Sequence, residues 1–187
     1  MSFEKELKIC KQYLAEKKII LYPTDTIWGI GCDATKNKSV KRIFKIKQRK
    51  ESKSLIVLVS DFEMLANYVF AVSNEVKLYL QSTTHPTTVI YKNPKNLAKR
   101  AIASDNTVAI RIVSSSFAHD LIKTFGKPII SSSANISGKN PPKSFKDISK
   151  KIIKKVDYVA NVKEDDYVKS PSKIITFKDG VVVVLRS

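Results

Sequence analysis

The chain has 187 residues, of which 43% are hydrophobic and 9% aromatic, so its composition excludes a disordered protein and suits one well-packed core. Its 34 Lys and Arg residues outnumber 17 Asp and Glu residues, and the net charge of +17 predicts attraction to polyanions such as RNA, DNA, nucleotides or acidic lipid. No stretch approaches the roughly 18 apolar residues of a membrane span, so we expect no membrane partner.

The cysteines and histidines are few. Cys10 and Cys32 have a spacing that fits neither a metal site nor a disulfide framework. His85 and His119 are too few for a histidine-rich metal site. The N-terminal segment is charged throughout and lacks the apolar run of a signal peptide. We therefore expect a soluble cytoplasmic protein with reduced thiols and no metal site of its own.

The N-terminal half alternates between helical and strand patterns. A first helix begins after the cap residue Ser2, and the stretch KIILYP then predicts a short inner strand that ends at its proline. A second helix carries one stripe made of Val40, Ile43, Phe44 and Lys47. The stretch LIVLV predicts another inner strand. Asp61 is expected to cap a third helix, and a fourth helix is predicted over Glu75 to Leu80.

The C-terminal half continues this alternation. The stretches TTVIYK, TVAIRI and KPIISSS predict strands, and a helix between the last two is expected to end at Gly126. A further helix is predicted near Phe145 to Ile153. The closing stretch KIITFKDGVVVVLR predicts a hairpin that turns at Asp179 and Gly180. The tight spacings and the hairpin predict a single α/β domain over residues 1–187 with a mixed sheet.

A loop with small and hydroxyl side chains is predicted after the first strand. In YPTDTIWGIGCDA, residues 22–34, Thr24 and Thr26 present hydroxyl groups. Gly29 and Gly31 would let the backbone approach a ligand closely. A glycine-containing turn without a ligand is the alternative.

The second helix ends in a basic tip. Lys47 and Arg49 lie two residues apart and can face one point if the backbone turns there. Arg offers a planar fork for phosphate oxygens, and Lys offers a compact charge. A frayed helix end, whose cations complement the helix dipole, is the alternative.

The stretch IISSSANISGKNPP follows a strand and is rich in polar groups. Ser131, Ser133 and Asn135 lie where successive backbone N–H groups can form an anion-binding nest. A rigid surface loop is the alternative. Arg111 lies on an otherwise apolar strand, where an unpaired charge is costly. A carboxylate of the protein or of a substrate is therefore expected beside it, with Thr107 on the same strand face.

In order along the chain, these segments resemble the YrdC-like family of threonylcarbamoyl-AMP synthases. The matching segments are YPTDTIWGIGCDA, KQR before LIVLV, PTTVIY, TVAIRI, SSANISGKNPP and PSKII before VVVLR. The resemblance implies a twisted open mixed sheet flanked by helices, with a concave positive face. It also implies that L-threonine, bicarbonate and ATP give L-threonylcarbamoyladenylate and pyrophosphate. Other proteins would then complete the modification of the tRNA adenosine next to the anticodon.

The resemblance assigns roles to ten residues. Those that bind ATP are Lys47, Arg49, Thr107, Ser133, Asn135 and Arg186. Those that bind L-threonine are Thr24, Arg111, Ser131 and Ser172. The resemblance implies no covalent nucleophile. It implies instead that Lys47 and Arg49 form a clamp that offsets the charge of the triphosphate. Mg²⁺ is expected on the ATP phosphates, held mostly by ATP and water. The expected partners are downstream threonylcarbamoyl transferase proteins, together with weak binding of tRNA.

Some positions depart from the family pattern, and alternatives stay open. Leu58 stands where many relatives carry His, Ser132 where Pro often precedes SAN, and Lys173 where Thr is common, while THPTT replaces a Trp-Pro-Gly-Pro run. A non-catalytic RNA-binding module with a basic concave face is the main alternative, although it leaves the serine-rich loop unexplained. A third possibility is that the same fold uses carbamoyl phosphate, as carbamoyl-adenylate-forming relatives do within much larger chains. The 187-residue length argues against it.

Overall fold

Helices and strands alternate along the chain. The structure, a computed structural model, describes residues 2–52, 54–114, 116–162 and 170–187. In these ranges the α-helices are α1 (Phe3–Ala15), α2 (Asn37–Lys47), α3 (Phe62–Ala66), α4 (Asn74–Ser82), α5 (Phe117–Phe125) and α6 (Lys150–Ile153). The strands are β1 (Ile20–Tyr22), β2 (Gly29–Asp33), β3 (Ile56–Val59), β4 (Thr87–Lys92), β5 (Thr107–Ile112), β6 (Ile129–Ser133), β7 (Tyr158–Val159), β8 (Lys173–Lys178) and β9 (Val181–Arg186).

The strands of the described ranges join one sheet, in the order β7-β1-β2-β6-β3-β5-β4-β8-β9. The pairs β1 with β7, β3 with β5 and β4 with β8 are parallel. The remaining neighbours are antiparallel. The predicted α/β fold with a mixed open sheet is therefore confirmed, while the domain limits at residues 1–187 stay a prediction.

Each face of the sheet carries its own hydrophobic core, because side chains along a strand alternate between the two faces. Val57 and Val59 of β3 belong to the larger core, which also holds Val40 and Ile43 of α2. Leu58 points to the opposite face and joins a smaller core with residues of α1 and α5. Helices thus flank both faces. Since α1 and α5 cover only part of the second face, the same face of β3, β5 and β4 continues beyond them as the floor of a cavity.

Several predicted caps and turns are confirmed. Oδ1 of Asp61 caps α3 by accepting a hydrogen bond from the N–H of Met64 at 2.7 Å. Gly126 ends α5 with a φ of +73°, which is the left-handed conformation common at helix ends. Asp179 and Gly180 turn the β8–β9 hairpin with φ values of +50° and +78°, as a two-residue hairpin loop requires. In the part of the chain that the structure covers, none of the helices has the length and apolar character needed to cross a membrane.

The prediction of a glycine-containing loop over residues 22–34 is wrong for its second half. Gly29–Asp33 forms β2, which pairs with both β1 and β6. A Cβ atom on Gly31 would lie 2.6 Å from Cε1 of Tyr22 and 2.6 Å from the carbonyl oxygen of Ile130, so the missing side chain lets this strand pack tightly. This strand does not resemble a strand in the sequence, because glycine is depleted in strands.

The helix predicted near Phe145 to Ile153 is divided into two elements. A 3-10 turn, Phe145–Asp147, precedes α6, and Ile148 between them has φ and ψ of −71° and 124°. Ser149 then begins α6, because its Oγ accepts a hydrogen bond from the N–H of Lys151 at 3.3 Å. The short strand β7 was not predicted.

Candidate active site

A cavity of about 390 Å³ opens on the part of the sheet that α1 and α5 leave uncovered. Ile56, Ala109 and Ile90, which stand side by side on β3, β5 and β4, form its floor. Ser131 of β6 continues this row, because it pairs with Ile56. Among the predicted binding residues, those that line the cavity are Thr24, Arg49, Arg111, Ser131, Ser133, Ser172 and Arg186. The sheet therefore brings together segments that are far apart in sequence.

The other predicted residues do not line this cavity. Lys47 is buried, and its Nζ donates hydrogen bonds to the carbonyl oxygens of Ser133 and Asn135, the latter at 2.7 Å. Asn135 lines a neighbouring cavity of about 410 Å³. The hydroxyl of Thr107 donates to Oδ1 of Asp105 at 2.7 Å. Lys47 therefore lies behind the loop that carries Ser133 and Asn135.

The predicted basic pair is separated by the backbone at the end of α2. Gln48 has a left-handed conformation with φ of +50°, so the chain turns sharply between Lys47 and Arg49. Lys47 points into the protein, and burial, followed by the positive charge of Arg49, lowers the pKa of its ammonium to about 7. Arg49 lines the cavity, and its Nη2 donates to the carbonyl oxygen of Ser54 at 2.7 Å.

Arg111 forms a buried ion pair with Asp25 in the loop between β1 and β2. Nη1 of Arg111 lies 2.7 Å from Oδ1 of Asp25, and the two side chains are 4% and 8% exposed. Of the two expected partners for this arginine, the protein carboxylate is therefore present. Nε of Arg111 is buried and has no hydrogen-bond partner among the residues that the structure describes. The sequence offers no separate reason to choose Asp25, although it lies between Thr24 and Thr26, whose hydroxyl groups are both candidate ligand contacts.

The hydroxyl of Thr24 closes a tight turn in the loop between β1 and β2. Its Oγ1 accepts hydrogen bonds from the N–H groups of Thr26 at 3.1 Å and Ile27 at 3.2 Å, and it donates to the carbonyl oxygen of Ile27 at 2.7 Å. A Cβ atom on Gly29 would lie 2.6 Å from Oγ of Ser131. The glycine therefore leaves room for a serine hydroxyl on the cavity wall.

The β8–β9 hairpin forms the opposite wall. Nη2 of Arg186 donates to the carbonyl oxygen of Ser172 at 2.6 Å, and the Ser172 hydroxyl lies 2.8 Å from that of Thr88. Burial, and then the positive charge of Arg111, lower the pKa of Arg186. Two arginines thus repel each other across one cavity, and an anion between them would relieve that repulsion.

Trp28 is a cavity residue that the sequence reasoning missed. It is the only tryptophan in the chain, it lines the cavity, and its ring centroid lies 5.1 Å from that of Phe145. Its position within the YPTDTIWG segment was the available signal. Leu58, which replaces the histidine of many relatives, is buried in the smaller core and does not line the cavity.

The lining favours anionic ligands that also carry hydroxyl or amine groups. Three arginines line the cavity, whereas the described part of its wall contains no Asp or Glu. Groups of three or more His, Cys, Asp or Glu side chains that could hold a metal ion are also absent from the described ranges. Preorganised cations can stabilise charge that develops during a reaction without any covalent bond to the protein.

Comparisons with known proteins identify the family of this chain. The Sua5/YciO/YrdC family model, described as telomere recombination, matches residues 12–187. A threonylcarbamoyl-AMP synthase of Buchnera aphidicola (subspecies Schizaphis graminum) is 32% identical over 181 residues, which cover 93% of this chain and 92% of that protein. The family likeness thus extends over nearly the whole chain.

Two solved structures share the fold. Sua5 of P. abyssi, complexed with L-threonine, matches with a TM-score of 0.87 and 26% identity, covering 100% of this chain and 54% of that one. This chain therefore spans about half the length of Sua5. Full-length HypF, in a phosphate- and nucleotide-bound form, matches with a TM-score of 0.84 and 24% identity over 97% of this chain and 28% of HypF. The likeness to HypF shows the fold alone.

Proposed function

Since this chain belongs to the Sua5/YciO/YrdC family, we propose that it is a threonylcarbamoyl-AMP synthase. It forms L-threonylcarbamoyladenylate and pyrophosphate from L-threonine, bicarbonate and ATP. The observation that carries the proposal is the convergence of Arg49, Arg111 and Arg186 on one cavity whose described wall has no acidic residue. Two substrates that each carry negative charge can be held side by side there.

In this proposal ATP is bound at the Arg49 side of the cavity. Arg49, Ser133 and Arg186 contact ATP directly, because they line the cavity. Lys47 acts from behind by holding the backbone of Ser133 and Asn135. The Asn135 side chain fixes the same loop by donating to the carbonyl oxygen of Ile136 at 3.0 Å. Thr107 begins β5, two residues before Ala109 and on the same face of the strand. An extended nucleotide that lies over Ala109 would reach Thr107.

L-Threonine is proposed to lie over the row that contains Arg111. Arg111 binds its carboxylate, since a guanidinium matches the two oxygens of that group. Thr24, Ser131 and Ser172 surround the amino acid with hydroxyl and backbone groups. Ser131 owes its place on the wall to Gly29, as described above.

The chemistry needs positioning and charge stabilisation. Bicarbonate and the threonine amine condense to N-carboxythreonine with loss of water. One oxygen of the new carboxylate then attacks the α-phosphorus of ATP, and the bond from that phosphorus to the bridging oxygen of pyrophosphate breaks. Arg49 would offset the charge that collects on the leaving pyrophosphate. Holding the reacting groups together removes most of the entropic cost of their encounter.

Mg²⁺ and the macromolecular partners follow from the same proposal. Mg²⁺ would be held by the ATP phosphates and water, since the described residues offer no acidic cluster for it. The product is an activated adenylate, which a tRNA-modifying threonylcarbamoyl transferase would consume in the cytoplasm. The net charge of +17 would favour weak contact with tRNA.

One assay tests the proposal against the RNA-binding alternative. The protein is incubated with ATP, Mg²⁺, labelled bicarbonate and L-threonine, and the pyrophosphate and labelled adenylate are measured. We expect pyrophosphate release that depends on L-threonine. Binding of RNA with no threonine-dependent pyrophosphate would support a non-catalytic module instead.

A further inference from the structure

We propose that Asp25 is a positioning residue, which holds the guanidinium of Arg111 so that its Nε edge is presented to the carboxylate of the amino acid substrate. This inference rests on the proposed function, because it takes L-threonine as the ligand of Arg111. It assigns a role to a residue that does not itself line the substrate cavity.

The ion pair uses one end of the guanidinium and leaves another edge without a protein partner. Nη1 of Arg111 donates to Oδ1 of Asp25 at 2.7 Å. Nε is buried, yet it has no partner in the described ranges. A buried donor without an acceptor is costly, so the arrangement points to a ligand that accepts from this edge. A carboxylate fits, because its two oxygens match two parallel N–H groups of a guanidinium.

The two partners of the ion pair lie beside different cavities. Arg111 lines the substrate cavity of about 390 Å³. Asp25 lines a separate cavity of about 170 Å³, together with His85 and Thr87. The carboxylate of Asp25 therefore holds the arginine from the side away from the substrate. Asp25 contacts Arg111 and does not itself line the substrate cavity, which is why we describe it as a positioning residue.

Both partners are attached to rigid backbone. Asp25 lies between Thr24 and Thr26, and the turn there is closed by the hydrogen bond from the N–H of Thr26 to Oγ1 of Thr24. Arg111 lies on β5, which is paired on both sides, with Leu58 of β3 and Thr88 of β4 opposite it. The side chain of Arg111 is thus fixed at its base by the sheet and at its guanidinium by the ion pair.

Charge and orientation make opposite predictions for the loss of Asp25. The carboxylate of Asp25 cancels the charge of Arg111, so if net charge mattered most, Asp25→Asn would bind an anionic amino acid more tightly. If orientation matters most, Asp25→Asn would bind it more weakly, since a neutral acceptor holds the guanidinium less firmly. Arg186 also lines the cavity and keeps it positive in either case.

The test uses two variants and two ligands. Asp25→Asn removes the charge, and Asp25→Glu keeps the charge but displaces it by one methylene. Binding of L-threonine and of L-threoninamide, which lacks the carboxylate, is followed by the fluorescence of Trp28 or by calorimetry. We expect about tenfold weaker binding of L-threonine in both variants. Binding of L-threoninamide and of ATP should change less than twofold.

A double-mutant cycle separates positioning from a general loss of structure. In an Arg111→Met background, Asp25→Asn should leave L-threonine binding unchanged, because its effect passes through Arg111. If wild type binds L-threonine while both Asp25 variants lose less than threefold in affinity, or bind it more tightly, the inference is overturned and the proposed function stands. If wild type does not bind L-threonine at all, both are overturned.

Discussion

The ammonium of Lys47 donates to the carbonyl oxygen of Asn135 at 2.7 Å, so this cation holds the loop beside the cavity. It also donates to the carbonyl oxygen of Ser133. The carbonyl oxygen of Lys47 in turn accepts a hydrogen bond from the N–H of Ser137 at 2.8 Å. Lys47 therefore joins the end of α2 to the serine-rich loop twice, once through its side chain and once through its backbone carbonyl group.

Lys47 should make stability depend on pH. Its pKa of about 7 in the folded protein lies below its ordinary value of 10.5, so between these values the unfolded chain binds more protons. The free energy of unfolding therefore rises with pH through this window, by an amount on the order of 5 kcal/mol. Urea unfolding at pH 6.5 and 9.5 checks this against Lys47→Met. We expect the free energy of wild type to rise relative to that of the variant, and parallel changes would contradict the assignment.

Arg49→Ala should impair the reaction strongly. The variant loses a partly dry phosphate contact worth about 3 kcal/mol, which corresponds to a fall on the order of 100-fold in kcat/KM for ATP. The rate of pyrophosphate release measures this. Lys50→Ala is the matched control, because it removes one positive charge from an exposed neighbour. A similar loss in both variants would mean that only the long-range charge matters.

Two glycines on β2 should respond differently to alanine. In Gly31→Ala the new methyl group meets the backbone oxygen of Ile130, which cannot move easily, so we expect a loss of about 1–3 kcal/mol in stability. In Gly29→Ala it meets the hydroxyl of Ser131, which can rotate. This variant should keep more of its stability but bind L-threonine several-fold more weakly. Thermal unfolding and ligand titration of both variants compare these effects.

The buried carboxylate of Glu6 should make the hydroxyl of Tyr158 important for stability. Oε1 of Glu6 accepts hydrogen bonds from the Tyr158 hydroxyl at 2.7 Å and from the N–H of Asn161 at 2.8 Å. Tyr158→Phe removes a donor from a buried charge and should cost about 1–3 kcal/mol. Asn161→Ala is the control, since it keeps the backbone donor. Urea unfolding that shows equal losses in the two variants would contradict this role.

The sequence predicts the parts of the fold that depend on local patterns. The stripe of α2, the cap at Asp61 and the turn at Asp179 and Gly180 each follow from a few neighbouring residues, and each is confirmed. β2 is missed because its stability depends on packing against Tyr22 and on pairing with β6, and neither leaves a local pattern.

The site is predicted less completely, for a similar reason. Which residues share the cavity could be expected from the family resemblance, but the direction of each side chain could not. The left-handed conformation of Gln48 turns Lys47 away from the cavity. This conformation is uncommon for residues other than glycine, so a glutamine gives no signal of it in the sequence. The partner of Arg111 is Asp25, which is 86 residues away in sequence, so only the folded sheet brings the two together.

The cavity floor is shared by strands that lie far apart along the chain. A ligand that contacts Thr24, Ala109 and Arg186 at once would be lost entirely when the sheet opens, because those groups then separate. Each tenfold rise of substrate above its Kd would add about 1.4 kcal/mol to the free energy of unfolding. Substrate supply would therefore influence how long each molecule resists proteolysis, as well as how fast it turns over.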